Sequence, residues 1–214
     1  MPLCAIIPIK PLRRGKSRLS SILSEDKRES LNQYLLISTL QCLRKVNKID
    51  NMLVVSYDPT ALALAKKFGA RTVLENRHIN INRALRKATL AAKAIRSSEI
   101  LVVPADLPLL TGEDVLSVIG ESGDPPEIVI VPDRKMSGTN MLLINPIGAI
   151  KYDFGERSFR KHIEQAERKK INIKICHRKN LSFDLDLPED WEFLKARMIN
   201  YEIFDNQIMQ EVKI

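Results

Sequence analysis

Short apolar runs alternate with longer amphipathic segments through the first half of the chain. The runs are rich in branched apolar residues and are too short for helices, so they predict buried β-strands. The longer segments repeat leucine or alanine at helical spacing, which predicts a helix after each of the first three strands. This alternation is typical of a parallel sheet with helices on its faces, a doubly wound unit of the nucleotide-binding type. The four predicted strands are residues 3–9, 52–55, 70–74 and 99–103.

Polar side chains that cap helix N-termini mark where these helices begin. The first helix follows a basic loop at residues 10–21, and the third helix runs to about residue 96. A proline directly after one cap occupies the first helical position, where its missing N–H is tolerated. A fourth helix is predicted at residues 112–119. The predicted caps are Ser24, Asp58, Asn80 or Asn82, and Thr111.

The second half of the chain has a different pattern. Two predicted strands, at residues 127–131 and 140–144, are joined by a loop too short for a helical crossover. A helix is predicted to follow Gly155, capped by Glu156 or Ser158, and to run to about residue 170. The remaining predicted elements are short strands at residues 171–176 and 181–184 and a last helix that starts within residues 187–191.

The composition is that of an ordinary globular protein. Of 214 residues, 44% are hydrophobic and 28% are charged. No apolar run approaches the roughly 20 residues that span a bilayer, and residues 1–10 are too short and too quickly charged for a secretory signal. Cys4, Cys42 and Cys176 form no Cys-x-x-Cys pair, so we expect reduced thiols and a cytoplasmic protein.

The net charge of +8 is clustered, with one group of cations at residues 10–18 and another at residues 151–179. Such clusters attract phosphorylated small molecules as well as nucleic acid. Only 5% of residues are aromatic, and none form the glycine-and-aromatic runs that stack bases, which disfavours an RNA-binding module.

Asp106 follows the run of four apolar residues at 100–103 and lies between Pro104 and Pro108. Prolines end strands, so this carboxylate lies at the carboxyl edge of the sheet, where open α/β sheets bind ligands. One interpretation is a Mg²⁺ ligand. The other is a cap or turn aspartate before the next helix, which Thr111 is better placed to cap.

Two further groups of residues have the character of ligand sites. The loop after the first strand carries Lys10 and Gly15-Lys16-Ser17-Arg18, which suits a triphosphate, although it lacks the Walker pattern and could be a solvated basic loop. Asp184 and Asp186 are two apart, so in an extended segment they face the same side and repel unless a cation lies between them. The alternative for this pair is a polar turn before the last helix.

A third group combines hydroxyls and glycines, at Gly138-Thr139-Asn140 and at Gly155 to Ser158. Glycine permits close approach of backbone to a ligand, and the second segment begins a helix, where anions bind. The group would suit a second, phosphorylated substrate; read singly, its residues fit ordinary turns and caps.

Taken in order, these motifs resemble the nucleotidyltransferases related to molybdenum-cofactor guanylyltransferases, and among them the 2-phospho-L-lactate guanylyltransferases of deazaflavin-coenzyme biosynthesis. The resemblance covers residues 6 to about 194. The matching pieces are Pro8-x-Lys10, Lys16-Ser17-Arg18-Leu19, Asn82-x-Ala84-Leu85, Pro104-x-Asp106-Leu107-Pro108, Pro132-Asp133, Gly138-Thr139-Asn140, Phe154-Gly155-x-x-Ser158-Phe159-x-x-His162 and Asp184-x-Asp186-x-Pro188-x-Asp190.

The resemblance implies a three-layer α/β/α domain of the nucleotide-diphospho-sugar-transferase-like, Rossmann-like type, with a mixed, mostly parallel sheet. It implies a nucleotide-binding half at residues 1–110, an acceptor-binding half at 111–197 and a tail at 198–214 that could pack on the domain or across a homodimer. The implied reaction transfers GMP from GTP to 2-phospho-L-lactate and releases pyrophosphate. Alternatives are phosphoenolpyruvate as acceptor, or a glycosyltransferase, whose Asp-x-Asp motif residues 184–186 match.

The resemblance also implies a role for each matched residue. The implied Mg²⁺ ligands are Asp106, Asp184 and Asp186. The implied catalytic residues are Lys16, Arg18 and Asp106. The implied GTP contacts are Lys10, Gly15, Lys16 and Asn82, and the implied contacts to the phosphorylated acid are Thr139, Gly155 and Ser158. Neither nucleic acid nor a membrane is an expected partner.

Overall fold

The described residues, 1–76 and 80–197 of the computed structural model, form one seven-stranded mixed sheet covered by helices. The strand order is β3-β2-β1-β4-β6-β5-β7. β6 is antiparallel to both of its neighbours, and the other adjacent strands are parallel. The strands are β1 Leu3–Pro8, β2 Asn51–Ser56, β3 Arg71–Leu74, β4 Glu99–Val102, β5 Glu127–Pro132, β6 Thr139–Asn145 and β7 Asn172–Ile175.

Six α-helices accompany the sheet in the described part of the chain. They are α1 Glu25–Arg44, α2 Pro59–Lys67, α3 Ile81–Ala94, α4 Gly112–Gly120, α5 Ser158–Arg168 and α6 Pro188–Arg197. Two single 3₁₀ turns, Leu12–Arg14 and Ser17–Leu19, shape the basic loop after β1. No helix of the described residues combines the length and the apolar character that a bilayer crossing needs.

The sheet is the middle of three layers. Alternate strand residues pack on one face against apolar side chains of α1, α2 and α4. On the other face they pack against side chains of α3 and α5. The burial of nearly every residue of β1, β4, β5 and β6 follows from this double cover, which explains their continuous apolar sequences. The predicted three-layer architecture is therefore confirmed.

A smaller core cluster lies where α6 meets the start of α1. Trp191 and Leu194 of α6 pack with Leu185 and Phe183 against Leu19 and its neighbours. This cluster joins the segment before α6 to the basic loop after β1. It thereby brings two parts of the chain that are about 170 residues apart into contact.

Four of the predicted helix starts are confirmed by cap hydrogen bonds. Ser24 accepts from the Lys27 amide, and Asp58 precedes Pro59 and accepts from the Thr60 amide. Asn80, rather than Asn82, caps α3. Thr111 accepts from the Asp114 amide, so α4 does not need Asp106 as a cap. The polar side chain before each helix was a reliable signal because it satisfies amides that the helix leaves unpaired.

Two predictions about the second half are wrong. Residues 181–184 form a turn and an irregular segment rather than a strand, because the Leu181 carbonyl bonds to the Asn140 side chain and the Leu185 amide bonds to the Asp106 carbonyl. The N-cap residue of α5 is Arg157, with φ +55° and no side-chain cap, and not Glu156 or Ser158. The prediction for the tail at 198–214 lies outside the described residues.

The close fit of Gly15 against α1 leads to a stability prediction. Gly15 has an extended backbone, φ −67° and ψ 158°, that any residue could adopt. An added Cβ would nevertheless lie 2.5 Å from Nδ2 of the buried Asn32, whose amide donates to the Leu12 carbonyl at 2.6 Å. We expect Gly15→Ala to lower the free energy of unfolding by about 1–3 kcal/mol, measured by urea denaturation.

Gly120→Ala is the matched control, because a Cβ at Gly120 meets no atom within 4 Å in the described structure. We expect its effect to stay within about 1 kcal/mol, in the stabilising direction. Equal losses of stability in the two variants would show that the Asn32 contact does not restrict Gly15.

Candidate functional site

The carboxyl edge of the sheet collects the functional side chains. The basic loop leaves β1 at this edge, and residues 103–106 leave β4 beside it because β1 and β4 are parallel neighbours. Leu142 pairs with Val102 in the antiparallel β4–β6 ladder, so Thr139, three residues before Leu142, lies at the same edge. The Leu185 amide donates to the Asp106 carbonyl at 3.1 Å, which fixes the segment before α6 against the end of β4.

Lys16 is at the centre of this arrangement. Its ammonium donates to Asp106 Oδ2 at 3.0 Å and to Asp186 Oδ1 at 3.1 Å. The Lys16 side chain is only 6% exposed, and its backbone is left-handed, with φ +54°. Arg18 reaches the other oxygen of Asp186 at 3.5 Å from a largely exposed position. Non-glycine residues held in the left-handed region are often part of a functional site, because the surrounding structure has to maintain the strain.

Of the three predicted aspartates, Asp106 and Asp186 contact Lys16 or Arg18. Burial alone would lower the pKa of Lys16, but Asp106 and Asp186 outweigh burial and raise it, so the ammonium stays charged. The pKa of Asp184 is raised, first by burial and then by the charges of Asp106 and Asp186, against a smaller opposing effect of hydrogen bonding from Asn140. The structure therefore brings the three predicted aspartates close enough to perturb one another and leaves an excess of negative charge at Asp184.

The three aspartates do not form a ready coordination shell. Among the described residues, no group of three or more histidine, cysteine, aspartate or glutamate side chains is arranged to hold a metal ion. The Lys16 ammonium lies between Asp106 and Asp186 and satisfies one oxygen of each. The donor chemistry still suits Mg²⁺, because these are carboxylate oxygens and Asp184 is destabilised by uncompensated charge.

Asp190 and Arg134, to which the sequence analysis gave no role, hold this cluster in place. Asp190 is 4% exposed and accepts from the amides of Asp186 and Leu187 at 3.0 and 2.7 Å. Arg134 forms an ion pair with Asp190 and lies 4.8 Å from the centre of the Phe183 ring. Burial by itself raises the pKa of Asp190, but the two amides and Arg134 together lower it. The turn before α6 is thus satisfied by Asp190, which leaves the Asp186 side chain free to face Lys16.

The predicted acceptor group forms a second, buried network. The Thr139 amide donates to Ser158 Oγ at 2.9 Å, and the Ser158 amide donates to the carbonyl of Gly155, whose φ is +125°. Thr139 Oγ1 is 3.0 Å from Nδ1 of His162, a fully buried side chain with no role assigned from the sequence. The structure therefore places Thr139, Gly155 and Ser158 together, as predicted.

The hydrogen bonds of His162 determine its tautomer. Its Nε2 accepts from the Asp153 amide at 3.1 Å, so in the neutral ring the proton is on Nδ1. Nδ1–H then donates to Thr139 Oγ1, and the Thr139 hydroxyl proton remains available to a ligand. Burial lowers the pKa of His162 to about 4, although Asp153 opposes the shift and Lys161 adds to it, so the ring is neutral near pH 7.

A cavity of about 490 Å³ opens between the basic loop and the strand ends. Three of the predicted GTP contacts, Lys10, Gly15 and Lys16, line it together with Asp106, a predicted Mg²⁺ ligand. The predicted GTP contact Asn82 does not line the cavity. Its amide oxygen accepts from the Phe154 amide at 2.8 Å and its nitrogen donates to the Phe154 carbonyl at 3.0 Å. Asn82 instead fastens α3 to the segment before α5, while the cap residue Asn80 lines the cavity.

The buried, neutral His162 leads to a prediction about stability and pH. Between about pH 6.5 and 4 the unfolded chain binds a proton that the folded imidazole does not, so the free energy of unfolding falls as pH decreases through this window. We expect the loss across the window to be about 3 kcal/mol larger in the wild-type protein than in His162→Gln, measured by denaturant titration at each pH.

His177 is exposed, so His177→Gln serves as the control and should follow the wild-type pH profile. Parallel pH profiles for the wild-type protein and His162→Gln would contradict the assignment of a neutral, proton-excluding imidazole.

Comparison with known proteins connects this site to a family. The family described as "Guanylyl transferase CofC like" matches residues 3–199. The chain is 38% identical over 196 residues to a phosphoenolpyruvate guanylyltransferase of Rubrobacter xylanophilus, covering 92% of this chain and 95% of the relative. It is 31% identical over 185 residues to a 2-phospho-L-lactate guanylyltransferase of Methanobrevibacter smithii, covering 86% and 80%.

Solved structures show the same fold at low sequence identity. A nucleotidyl transferase from Methanothermobacter superposes with a TM-score of 0.70 at 10% identity, covering 94% of this chain and 99% of that one. A CMP:2-keto-3-deoxy-manno-octonic acid synthetase solved with CTP superposes with a TM-score of 0.62 at 12% identity, covering 94% and 100%. The fold is therefore shared with nucleotidyltransferases. The extent of the family match and the identity to its relatives show that the chain belongs to the CofC-like guanylyl transferase family.

Proposed function

We propose that this protein transfers GMP from GTP to a phosphorylated three-carbon acid, either phosphoenolpyruvate or 2-phospho-L-lactate, and releases pyrophosphate. The observation that carries the proposal is the buried Lys16 ammonium between Asp106 and Asp186, at the end of a cavity of nucleotide size. The names of the relatives supply the nucleotide and the two acceptor acids. Both acids carry the phosphate and the carboxylate on the same carbon, so one anion site would hold either.

In this reaction a phosphate oxygen of the acceptor attacks the α-phosphorus of GTP. A new P–O–P bond forms, the bond from the α-phosphorus to the bridging oxygen breaks, and that oxygen leaves with pyrophosphate. A phosphate monoester is already mostly dianionic at neutral pH, so no general base is needed. The barrier is the approach of two polyanions, which the protein lowers by positioning and by compensating charge.

The basic loop supplies that compensation. Lys16 and the exposed Arg18 would contact the GTP phosphates, with Lys10 at the rim of the cavity. Gly15, held against Asn32 and bonded through its carbonyl to Arg28 at 3.4 Å, keeps the loop backbone close to α1. A preorganised loop loses little free energy to reorganisation when charge develops on the transferring phosphorus.

The buried network at the start of β6 would hold the acceptor. His162 leaves the Thr139 hydroxyl proton free to donate, and the N-terminus of α5 at Ser158 adds partial positive charge. Gly155 removes side-chain bulk where the acid must approach the backbone. Because Thr139 and Asp106 lie at the same edge of the sheet, the acceptor phosphate and the α-phosphate would meet between them.

Mg²⁺ belongs to this proposal as the ion that Asp184, Asp106 and Asp186 would hold. When bound, it would neutralise phosphate charge and so complement Lys16 and Arg18. Burial is the main cause of the raised pKa of Asp184, and the charges of Asp106 and Asp186 add to it; that second contribution is the one that a bound cation would relieve.

The direct test is a matrix of acceptors against nucleotides, with pyrophosphate release as the signal. We expect release with GTP, Mg²⁺ and at least one of the two three-carbon acids, and only background release without an acid or after chelation of the metal. Asp184→Asn should lower kcat/KM by about 100-fold, because it removes the negative charge of a proposed metal ligand while keeping the size of the side chain.

Asp124→Asn is the matched control, since Asp124 is exposed in the turn before β5, and it should retain wild-type activity within about twofold. Folded wild-type protein that releases no pyrophosphate with either acid would rule out the proposed reaction. Equal activity of the two variants would remove Asp184 from the site.

A further inference from the structure

Glu75 lies in the same cavity as Lys16, at the opposite end. The cavity follows the carboxyl edge, with Lys10 after β1, Tyr57 after β2, Glu75 after β3 and Asp106 after β4. β3 and β4 are three strand positions apart in the sheet, so Glu75 and Asp106 lie about 14 Å apart along this edge. A nucleotide that held its phosphates at Lys16 and its base in the same cavity would therefore extend the base toward Glu75.

The Glu75 carboxylate is buried, which raises its pKa against the opposing charges of Lys87 and Arg83, and the described residues satisfy it only in part. The residue is 8% exposed, and its Oε1 has no hydrogen-bond partner within the described part of the chain. No ion pair of Glu75 occurs among the described residues either; the nearby Lys87 donates its ammonium to the Leu74 carbonyl at 2.6 Å. Leaving a charged acceptor unsatisfied costs more than leaving a neutral one, so this oxygen is suited to a donor that the described residues do not supply.

The surroundings of Glu75 fit a flat heterocycle. The cavity wall between the two charged ends includes apolar side chains of Val55, Ile81 and Ala84. The Glu75 amide donates to the Ser56 carbonyl at 2.8 Å, which fixes the backbone position of the carboxylate beside β2. The described residues that line the cavity include three acidic residues: Asp106 and Asp186 at the phosphate end, and Glu75 at the other end.

We propose that Glu75 selects guanine by accepting hydrogen bonds from N1–H and the 2-amino group of the base. This role for Glu75 rests on the proposed function, because Glu75 would determine which nucleotide that same site accepts. Guanine presents two adjacent donors on this edge. Adenine N1 and cytosine N3 are acceptors, which a carboxylate repels, and uracil presents one donor, so each loses affinity against guanine.

Inosine triphosphate isolates the interaction, because hypoxanthine keeps N1–H and lacks only the 2-amino group. With the acceptor acid saturating, we expect the wild-type kcat/KM for GTP to exceed that for ITP by about 10- to 100-fold, the value of one hydrogen bond to a charged group. In Glu75→Ala the GTP-to-ITP ratio should fall to within about threefold of one. Glu75→Gln keeps the size of the side chain but offers one acceptor and one donor, so it should give an intermediate GTP-to-ITP ratio. This variant also tests the proposal if Glu75→Ala does not fold.

The matched control is Glu99→Gln. Burial raises the pKa of Glu99 as it does that of Glu75, but Glu99 begins β4 at the opposite edge of the sheet from the cavity. This variant should keep the wild-type ratio. A wild-type ratio near one, a preference for ATP, or an unchanged ratio in folded Glu75→Ala or Glu75→Gln would overturn the proposal.

Calorimetric titration with GTP and ITP in the absence of acceptor separates this inference from the proposed reaction. If the wild-type protein binds GTP more tightly than ITP, and the Glu75 variants do not, guanine selection stands even where no GMP transfer is observed. If GMP transfer is observed while both variants retain the preference, the reaction stands and the role of Glu75 falls.

Discussion

A lysine ammonium buried between two aspartates is the interaction on which this site depends. Lys16 comes from the loop after β1, Asp106 from the end of β4 and Asp186 from the segment before α6, so one side chain joins three distant parts of the chain. The two carboxylates keep the cation charged despite its burial. The cation in turn allows two carboxylates to remain close together. Removal of either partner would leave uncompensated charge at the edge of the sheet.

The rest of the fold maintains this convergence. The apolar cluster around Trp191 and Leu185 presses the segment before α6 onto the basic loop. Asp190 satisfies the backbone of the turn and thereby orients Asp186, while Arg134 connects Asp190 to the loop between β5 and β6. That loop leads directly into Thr139, so the Lys16 cluster and the Thr139 network are joined through one loop. The geometry of the two proposed substrate sites is therefore maintained by packing and buried polar contacts.

The sequence predicted the fold well, because the signals of its elements are local. Branched apolar runs marked the strands, and cap side chains such as Thr111 marked the helix starts, each within one or two residues. The failure at residues 181–184 has a physical cause: alternating apolar residues indicate which side chains are buried, but not whether the backbone pairs with a strand. Phe183 and Leu185 are buried in a cluster with α6, and the backbone of this segment is held by a bond from the Asn140 side chain to the Leu181 carbonyl and a bond from the Leu185 amide to the Asp106 carbonyl.

The site could be predicted where a charged residue directly follows an apolar strand, as Asp106 does, and where the order of several motifs matches a known family. What the sequence could not show is which charges contact each other. Nothing in the local pattern indicates that Lys16 bonds to the predicted metal ligands or that Asn82 turns away to the Phe154 backbone. His162 and Asp190 occur in the matched motifs, but the sequence does not show that His162 contacts Thr139 or that Asp190 pairs with Arg134, because these partners are distant along the chain. Glu75 did carry a local signal: it is an acidic residue directly after a predicted strand, and the same kind of signal identified Asp106.

The central claim is that the Lys16 cluster is where the new phosphorus–oxygen bond forms. ³¹P NMR of GTP, Mg²⁺ and the acceptor acid, with wild-type protein and with Lys16→Met, tests this claim most directly. We predict that the wild-type protein produces a pair of coupled resonances from a diphosphate joining GMP to the acid, and that Lys16→Met, though folded, forms it about 100-fold more slowly. Hydrolysis of GTP without the joined product, or a wild-type rate in Lys16→Met, would contradict the account.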